Sequence, residues 1–171
     1  MPYFPDLTTY VDNLTEDLAD LIELMGIEPG PPIDPQLNVG WLSIEHEFPK
    51  LQTPQAFRER LWTFAAYRVL PSRGIHTCDI CNQHVHHNDP LIGTLGSAEI
   101  RVRGIGCWYA CPNLIAHYVE AHDYRPPDDF IDAVMKSPAP FTPEYERELD
   151  IVVLSFPLQE PVRPNNTKTE D

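Results

Sequence analysis

Apolar residues recur at helical spacing in two segments of the N-terminal half. Residues 15–25 carry them at intervals of three and four, and Thr15 can cap the start of a helix that Gly26 ends. A second helix is predicted from residue 53 to about residue 67, because a threonine followed by Pro54 is a strong start signal. Both segments are therefore expected to pack one apolar face on a core.

The pattern changes to strict alternation in the middle of the chain. Apolar Ile100 and Val102 alternate with charged neighbours between two glycines, which predicts a half-buried strand. Residues 107–111 can return as its partner in a hairpin. A further strand is expected within residues 37–44, where apolar positions include Val39.

Helical spacing returns in the C-terminal part. Helices are predicted at residues 112–122 and 128–136, each preceded or begun by proline, and a short helix is predicted to begin at Thr142-Pro143. Residues 151–156 are predicted to form a strand. The tail of residues 157–171 is rich in proline and polar residues, so it is expected to be disordered.

Composition indicates one acidic globular domain. A length of 171 residues suits a single domain, and 19 prolines favour short elements joined by stiff turns. The formal charge is −14, with 12 basic against 26 acidic residues, and the predicted helix 112–122 has no lysine or arginine. Nucleic-acid binding is therefore disfavoured, because binders neutralise phosphates with clustered basic residues.

The chain is expected to be cytoplasmic. No secretory signal opens it and no apolar stretch is long enough to span a bilayer. In a reducing compartment, clustered cysteines suggest a metal site rather than disulfides.

A cysteine and histidine constellation provides the candidate chemistry. All four cysteines and six of the seven histidines lie between residues 76 and 122. Cys78 and Cys81 have the two-residue gap of a zinc knuckle, and His117 and His122 have the four-residue gap of a helical ligand pair. Five residues turn an ideal helix by about 140° beyond one full turn, so the helix must loosen near its end for both rings to meet one Zn²⁺.

Other ligand sets remain open from the spacing. Cys78 and Cys81 could join Cys107 and Cys111 in an all-thiolate site, although an extended segment would hold the latter two sulfurs about 13 Å apart. A mixed set, or buried thiols without metal, are further alternatives. Of the other histidines, His76 can support the site from outside, His46 is expected on the surface, and a polar loop accounts for His84, His86 and His87 better than a second site does.

Several short motifs resemble a family of uncharacterised bacterial proteins that carry a domain of unknown function. The matching pieces are Tyr3-Phe4-Pro5-Asp6-Leu7-Thr8, Asn38-Val39-Gly40-Trp41-Leu42, Cys78-x-x-Cys81, Gly96-Ser97-Ala98-Glu99-Ile100-Arg101-Val102 and the run Pro112-Asn113-Leu114-Ile115-x-His117-Tyr118-Val119-x-x-His122-x-Tyr124-x-Pro126-Pro127-x-x-Phe130-x-x-Ala133-Val134. The resemblance implies that the histidine pair, rather than Cys107 and Cys111, accompanies the knuckle. It implies no activity.

These observations combine into one expectation of fold and function. The fold class is α+β, with a single domain of residues 1–156. Its flanking helices are expected to surround a β-hairpin and a helix that zinc holds together. This zinc-binding core is about residues 74–136. A closed four-ligand site favours a structural metal, with no catalytic residue assigned and a non-enzyme expected. The protein is expected to be an interaction module for an unknown, basic partner, as an antagonist or immunity protein would be.

Two other functions remain alternatives. A zinc-dependent hydrolase would need one ligand displaced, with Glu120 or Glu99 as general base, but no His-Glu-x-x-His motif is present. A zinc-finger nucleic-acid binder would need basic donors on the predicted helix of residues 112–122, which has none.

Overall fold

A computed structural model describes residues 2–10, 34–72 and 74–154. Three strands and four helices occur in this part of the chain. In chain order they are β1 (Gln36–Asn38), α1 (Gln55–Ala66), β2 (Glu99–Arg103), β3 (Trp108–Pro112), α2 (Ile115–Ala121), α3 (Asp128–Lys136) and α4 (Pro143–Leu154).

The three strands form one sheet in the order β1-β3-β2. β2 and β3 are antiparallel neighbours, with Arg103 opposite Trp108, so the predicted hairpin is confirmed. β1 pairs with β3 in parallel, with Gln36 opposite Trp108. All five residues of β3 are buried, because the strand has a neighbour on each side and covered faces above and below.

One face of the sheet packs on helices. α1 and α3 both contact β2, and the ring of Tyr109 on β3 meets Phe130 of α3 edge-on at 5.4 Å. Phe57, Leu61 and Phe64 place the predicted apolar stripe of α1 in this core. The α+β class and the single domain follow from this arrangement.

The other face carries a buried charged residue. Arg101 is 1% exposed, although alternation predicts a half-buried strand. Its guanidinium donates to Gln36 Oε1 at 2.9 Å and to Glu99 Oε2 at 2.6 Å, and it stacks over the Tyr10 ring at 4.7 Å. Covering by the N-terminal residues and pairing with Glu99 explain why a charge is buried here.

Four helix predictions agree with the structure, and the helix predicted to begin at Thr142-Pro143 is α4, which runs on to Leu154. The helix predicted at residues 53–67 is α1, and the one predicted at 128–136 is α3 with the same bounds. The helix predicted at 112–122 is shorter, because Pro112 is the last residue of β3 and α2 begins at Ile115.

Two strand predictions need correction. The strand predicted at 37–44 is reduced to β1, since Gly40 turns the chain with a φ of +75°. The strand predicted at 151–156 is wrong over residues 151–154, which continue α4. That helix begins with acidic side chains in its first turn, where the helix dipole favours negative charge.

Some predictions fall on other residues. The helix predicted at 15–25 and the tail of 157–171 lie outside the described residues, and the domain boundaries stay predictions. Across the described ranges, no helix combines the length and the apolar character that a bilayer crossing requires.

Candidate metal centre

The knuckle is a tight turn that brings two sulfurs to one side. Cys78 accepts a hydrogen bond at its carbonyl from Asn82 N at 2.7 Å, and its own N–H donates to Gln83 O at 3.0 Å. Asn82 takes a positive φ of 55°, which asparagine tolerates well. Cys78 is buried and Cys81 is half-buried.

α2 supplies the two imidazoles. His117 lies within the helix, whereas His122 is its C-cap residue with φ −122° and ψ 8°. Asp123 follows with a positive φ of 52°. The helix has therefore ended at His122, which provides the loosening that convergence of the two rings requires.

The four side chains meet with ligand-like spacing. His117 Nε2 and His122 Nε2 are 3.2 Å apart, Cys78 Sγ is 3.3 Å from His122 Nε2, and Cys81 Sγ is 3.5 Å from His117 Nε2. All four ligand atoms lie within 4.8 Å of one another. A tetrahedral Zn²⁺ with ordinary bond lengths would set two nitrogens about 3.3 Å apart and a nitrogen and a sulfur about 3.6 Å apart. The group could therefore hold a metal ion.

The surroundings favour neutral rings. Burial lowers the pKa of His117 below its ordinary value, and the neighbouring His122 lowers it further. Burial also lowers the pKa of His122, with a contribution from Lys50. Both rings therefore stay neutral near pH 7 and keep a nitrogen lone pair for a metal. Burial raises the pKa of Cys78, so a bound cation would have to displace the thiol proton.

The rival all-thiolate set is not brought together. Cys107 and Cys111 are buried at either end of β3, and neither belongs to a group that could hold a metal among the described residues. Burial raises the pKa of Cys111 well above its ordinary value, as expected for an inert core thiol. Cys111 on the central strand and Cys107 just before it both pack in the hydrophobic core.

The loop histidines form no second cluster in the described part of the chain. His86 Nδ1 lies 3.2 Å from Thr94 Oγ1, and the His87 ring packs on Trp62 at 4.7 Å. His84 is exposed. These contacts and the exposure of His84 are those of a polar loop.

The remaining two histidines, His46 and His76, are exposed and make different contacts. The exposed His46 ring stacks on Tyr3 at 3.6 Å. The exposed residue His76 lines a small cavity with Ser72 and Gly96, and its backbone N–H donates to Gly96 O at 2.7 Å. His76 therefore ties the segment that leads to the knuckle onto the start of β2 through its backbone.

Both candidate general bases are engaged. Glu120 Oε2 accepts a hydrogen bond from the Trp62 indole at 2.9 Å. Glu99 is paired with Arg101 on the sheet face described above. Glu120 also acts electrostatically on His117, whose pKa it raises, and neither carboxylate is among the four grouped ligand side chains.

Two supporting residues were missed by the sequence interpretation. Asn113 is 0% exposed, and its Oδ1 accepts a hydrogen bond from Gly96 N at 2.7 Å, which ties the start of α2 to the start of β2. Tyr118 is buried beside the knuckle, and burial raises the pKa of its phenol, with a smaller contribution from the Cys78 thiol once it is ionised. Asn113 lies in the Pro-Asn-Leu-Ile motif, a polar residue within an apolar run, and that was the available signal.

Comparison with known proteins adds a family and no activity. No curated protein and no solved structure matches the chain significantly. The profile of a family described as a domain of unknown function, DUF7919, matches residues 2–135. This range includes the sheet, the knuckle and the helix that carries both histidines. The chain therefore belongs to the DUF7919 family.

Proposed function

We propose that Cys78, Cys81, His117 and His122 bind one zinc ion that stabilises the fold, and that the folded chain is a protein–protein interaction module. The observation that carries the proposal is the gathering of four ligand atoms within 4.8 Å. Two thiolates and two imidazoles in a tetrahedron are the ligand set typical of structural zinc.

A structural role suits this ligand number. Catalytic zinc sites have three protein ligands and leave the fourth position to water. Four side chains close the site and leave no coordination position for a water molecule. The metal would instead cross-link segments 36 residues apart, from Cys81 to His117, and hold the knuckle on α2.

The charge supports a basic protein partner. A formal charge of −14 steers cations toward the surface and repels phosphates. α2 carries no lysine or arginine, so it lacks the donors with which a finger helix reads a groove. We therefore favour a cytoplasmic antagonist or immunity-type protein for a cationic partner. The absence of disulfides among the four cysteines suits a reducing compartment.

Elemental analysis tests the metal. Purified protein should contain one zinc per chain. Cys78→Ser and His117→Ala should lose the zinc and much of the cooperative thermal transition, whereas Cys107→Ser and His84→Ala should retain the zinc. Zinc that is retained by both ligand variants would contradict the site.

A binding experiment tests the module. Zinc-loaded protein immobilised on a resin should capture a basic protein from host extract, and added salt should weaken the binding of the purified pair. Tight binding of duplex DNA at low salt would instead favour the nucleic-acid alternative.

A further inference from the structure

A cleft opens between the β2–β3 turn and helices α3 and α4. Its volume is about 520 Å³, and none of the four proposed metal ligands lines it. Tyr109 of β3 lines it together with residues of both helices, and Ile105 stands on the rim, 100% exposed at the tip of the turn. A fully exposed isoleucine between two glycines has no packing role within the described part of the chain.

The charge of the cleft is negative and mostly uncompensated. Of the two cations on its walls, Lys136 pairs with Asp132 at 2.6 Å and Arg103 pairs with Asp34 at 2.5 Å. Three lining carboxylates have no ion-pair partner among the described residues: Asp129, Glu144 and Glu148. A cation entering the cleft would therefore meet unneutralised negative charge.

A second observation is independent of the charge. Ser137 lines the cleft, is 6% exposed, and its Oγ has no hydrogen-bond partner among the described residues. Glu148 Oε2 is likewise a buried atom with no hydrogen-bond partner there. Buried polar atoms are nearly always hydrogen-bonded in folded proteins, so these two atoms require donors that the described residues do not supply, from water or from a ligand.

Helix dipoles explain only some of the acidic and unsatisfied groups that line the cleft. Asp129 and Glu144 lie in the first turns of α3 and α4, where a carboxylate is favourable without any ligand. Ser137 is the C-cap residue of α3, and Glu148 lies in the second turn of α4. Neither of these positions gains from a helix N-terminus, so the two unsatisfied atoms need another explanation.

We propose that this cleft binds an arginine side chain from a basic segment of the partner protein. The inference rests on the proposed function, and it identifies the surface that would recognise the partner. A guanidinium offers five donors in a planar fork and no acceptor, which complements a carboxylate and a hydroxyl oxygen. Tyr109 is buried among the core side chains and forms part of the wall of the cleft. Ile105 provides an apolar contact for the chain on either side of the arginine.

A titration of the full chain tests the proposal. The probe is a capped peptide with one arginine between glycines, and the matched control peptide carries citrulline, which keeps the shape and removes the charge. Backbone amide shifts are followed by NMR in isotope-labelled protein. The arginine peptide should shift the amides of Tyr109 and Ser137 saturably, and the citrulline peptide should bind at least fivefold more weakly.

Variants locate the binding. Glu148→Gln and Asp129→Asn should each weaken the arginine peptide by threefold or more, since each removes one cleft charge. Glu146→Gln removes the same charge from an exposed position of α4 that does not line the cleft, and it should change binding by less than twofold. Circular dichroism checks that all three variants fold, and Asp129→Asn keeps the test informative if Glu148→Gln is unstable.

The outcomes separate this site from the proposed function. Equal binding of both peptides, or equal weakening by Glu148→Gln and Glu146→Gln, would overturn the cleft as an arginine site. Failure of the structural-zinc proposal would appear in the elemental analysis, which the titration does not depend on. Capture of a basic partner that is insensitive to Glu148→Gln would likewise overturn the cleft and leave the interaction module standing.

Discussion

Replacing Gly96 with alanine tests how the metal centre is attached to the sheet. Gly96 has a φ of +87°, and a Cβ at this position would lie 2.1 Å from His76 O. The same glycine donates its N–H to Asn113 Oδ1 and accepts from His76 N, each at 2.7 Å. It therefore joins the segment before the knuckle to the residue that precedes α2.

The magnitude follows by comparison with Gly106. That residue has a φ of +67°, and its Cβ would meet nothing within 4 Å, so Gly106→Ala reports conformational strain alone, about 1–2 kcal/mol. Gly96→Ala has the same strain and must also move the His76 backbone. Movement weakens the two hydrogen bonds, each worth about 1 kcal/mol net. We expect Gly96→Ala to lower the free energy of unfolding by about 3–4 kcal/mol in total.

Urea unfolding followed by circular dichroism measures both variants. With an unchanged slope, the midpoint for Gly96→Ala should fall at least twice as far as the midpoint for Gly106→Ala. The corresponding loss in melting temperature is roughly 6–16 °C for a chain of this size. Because the segment that precedes the knuckle is displaced, Gly96→Ala should also lose zinc to a competing chelator more readily. Equal destabilisation by the two alanines would refute the argument that the close approach to His76 matters.

Three further predictions concern the metal, the histidines and a helix contact. Chelation of the metal should lower the free energy of unfolding by at least about 3 kcal/mol, because the metal cross-links residues some 36 apart and that cross-link restricts the unfolded chain. The melting temperature with and without chelator measures this loss. An unchanged melting temperature would contradict a structural metal. Stability should fall as the pH drops through about 6.5, because the lowered pKa values of His117 and His122 mean that the unfolded chain takes up protons that the folded chain does not. Urea midpoints at pH 7.5 and 5.5 should show this fall, whereas equal midpoints would contradict the contribution of the two histidines. Arg60→Met should lower the free energy of unfolding by roughly 2–3 kcal/mol, because Arg60 donates hydrogen bonds of 2.5 Å to Val134 O and to Ser137 O at the end of α3. The control Arg147→Met removes an exposed hydrogen bond. Equal losses from both variants would contradict a special role of the Arg60 hydrogen bonds.

Local patterns in the sequence predicted most of the elements and the candidate ligand pairs. The two prolines before α3 and its apolar spacing predicted that helix to the residue, and alternation predicted the β2–β3 hairpin. The gaps within each pair predicted Cys78 with Cys81 and His117 with His122 as ligand pairs, but spacing left Cys107 and Cys111 open, and the family resemblance favoured the histidines. Only the bend that ends α2 at His122 had to be assumed.

The tertiary structure decided everything that depends on distant segments. Arg101 is buried because Glu99, Gln36 and the N-terminal residues cover one face of the sheet. No local pattern of apolar and polar residues predicts that these segments lie there. The contact of Gly96 with His76 and the unsatisfied Ser137 in the acidic cleft likewise arise where separate elements meet. The pattern of apolar positions reports which face of an element is buried, whereas the identity of the group that covers this face is set by packing between elements far apart in the chain.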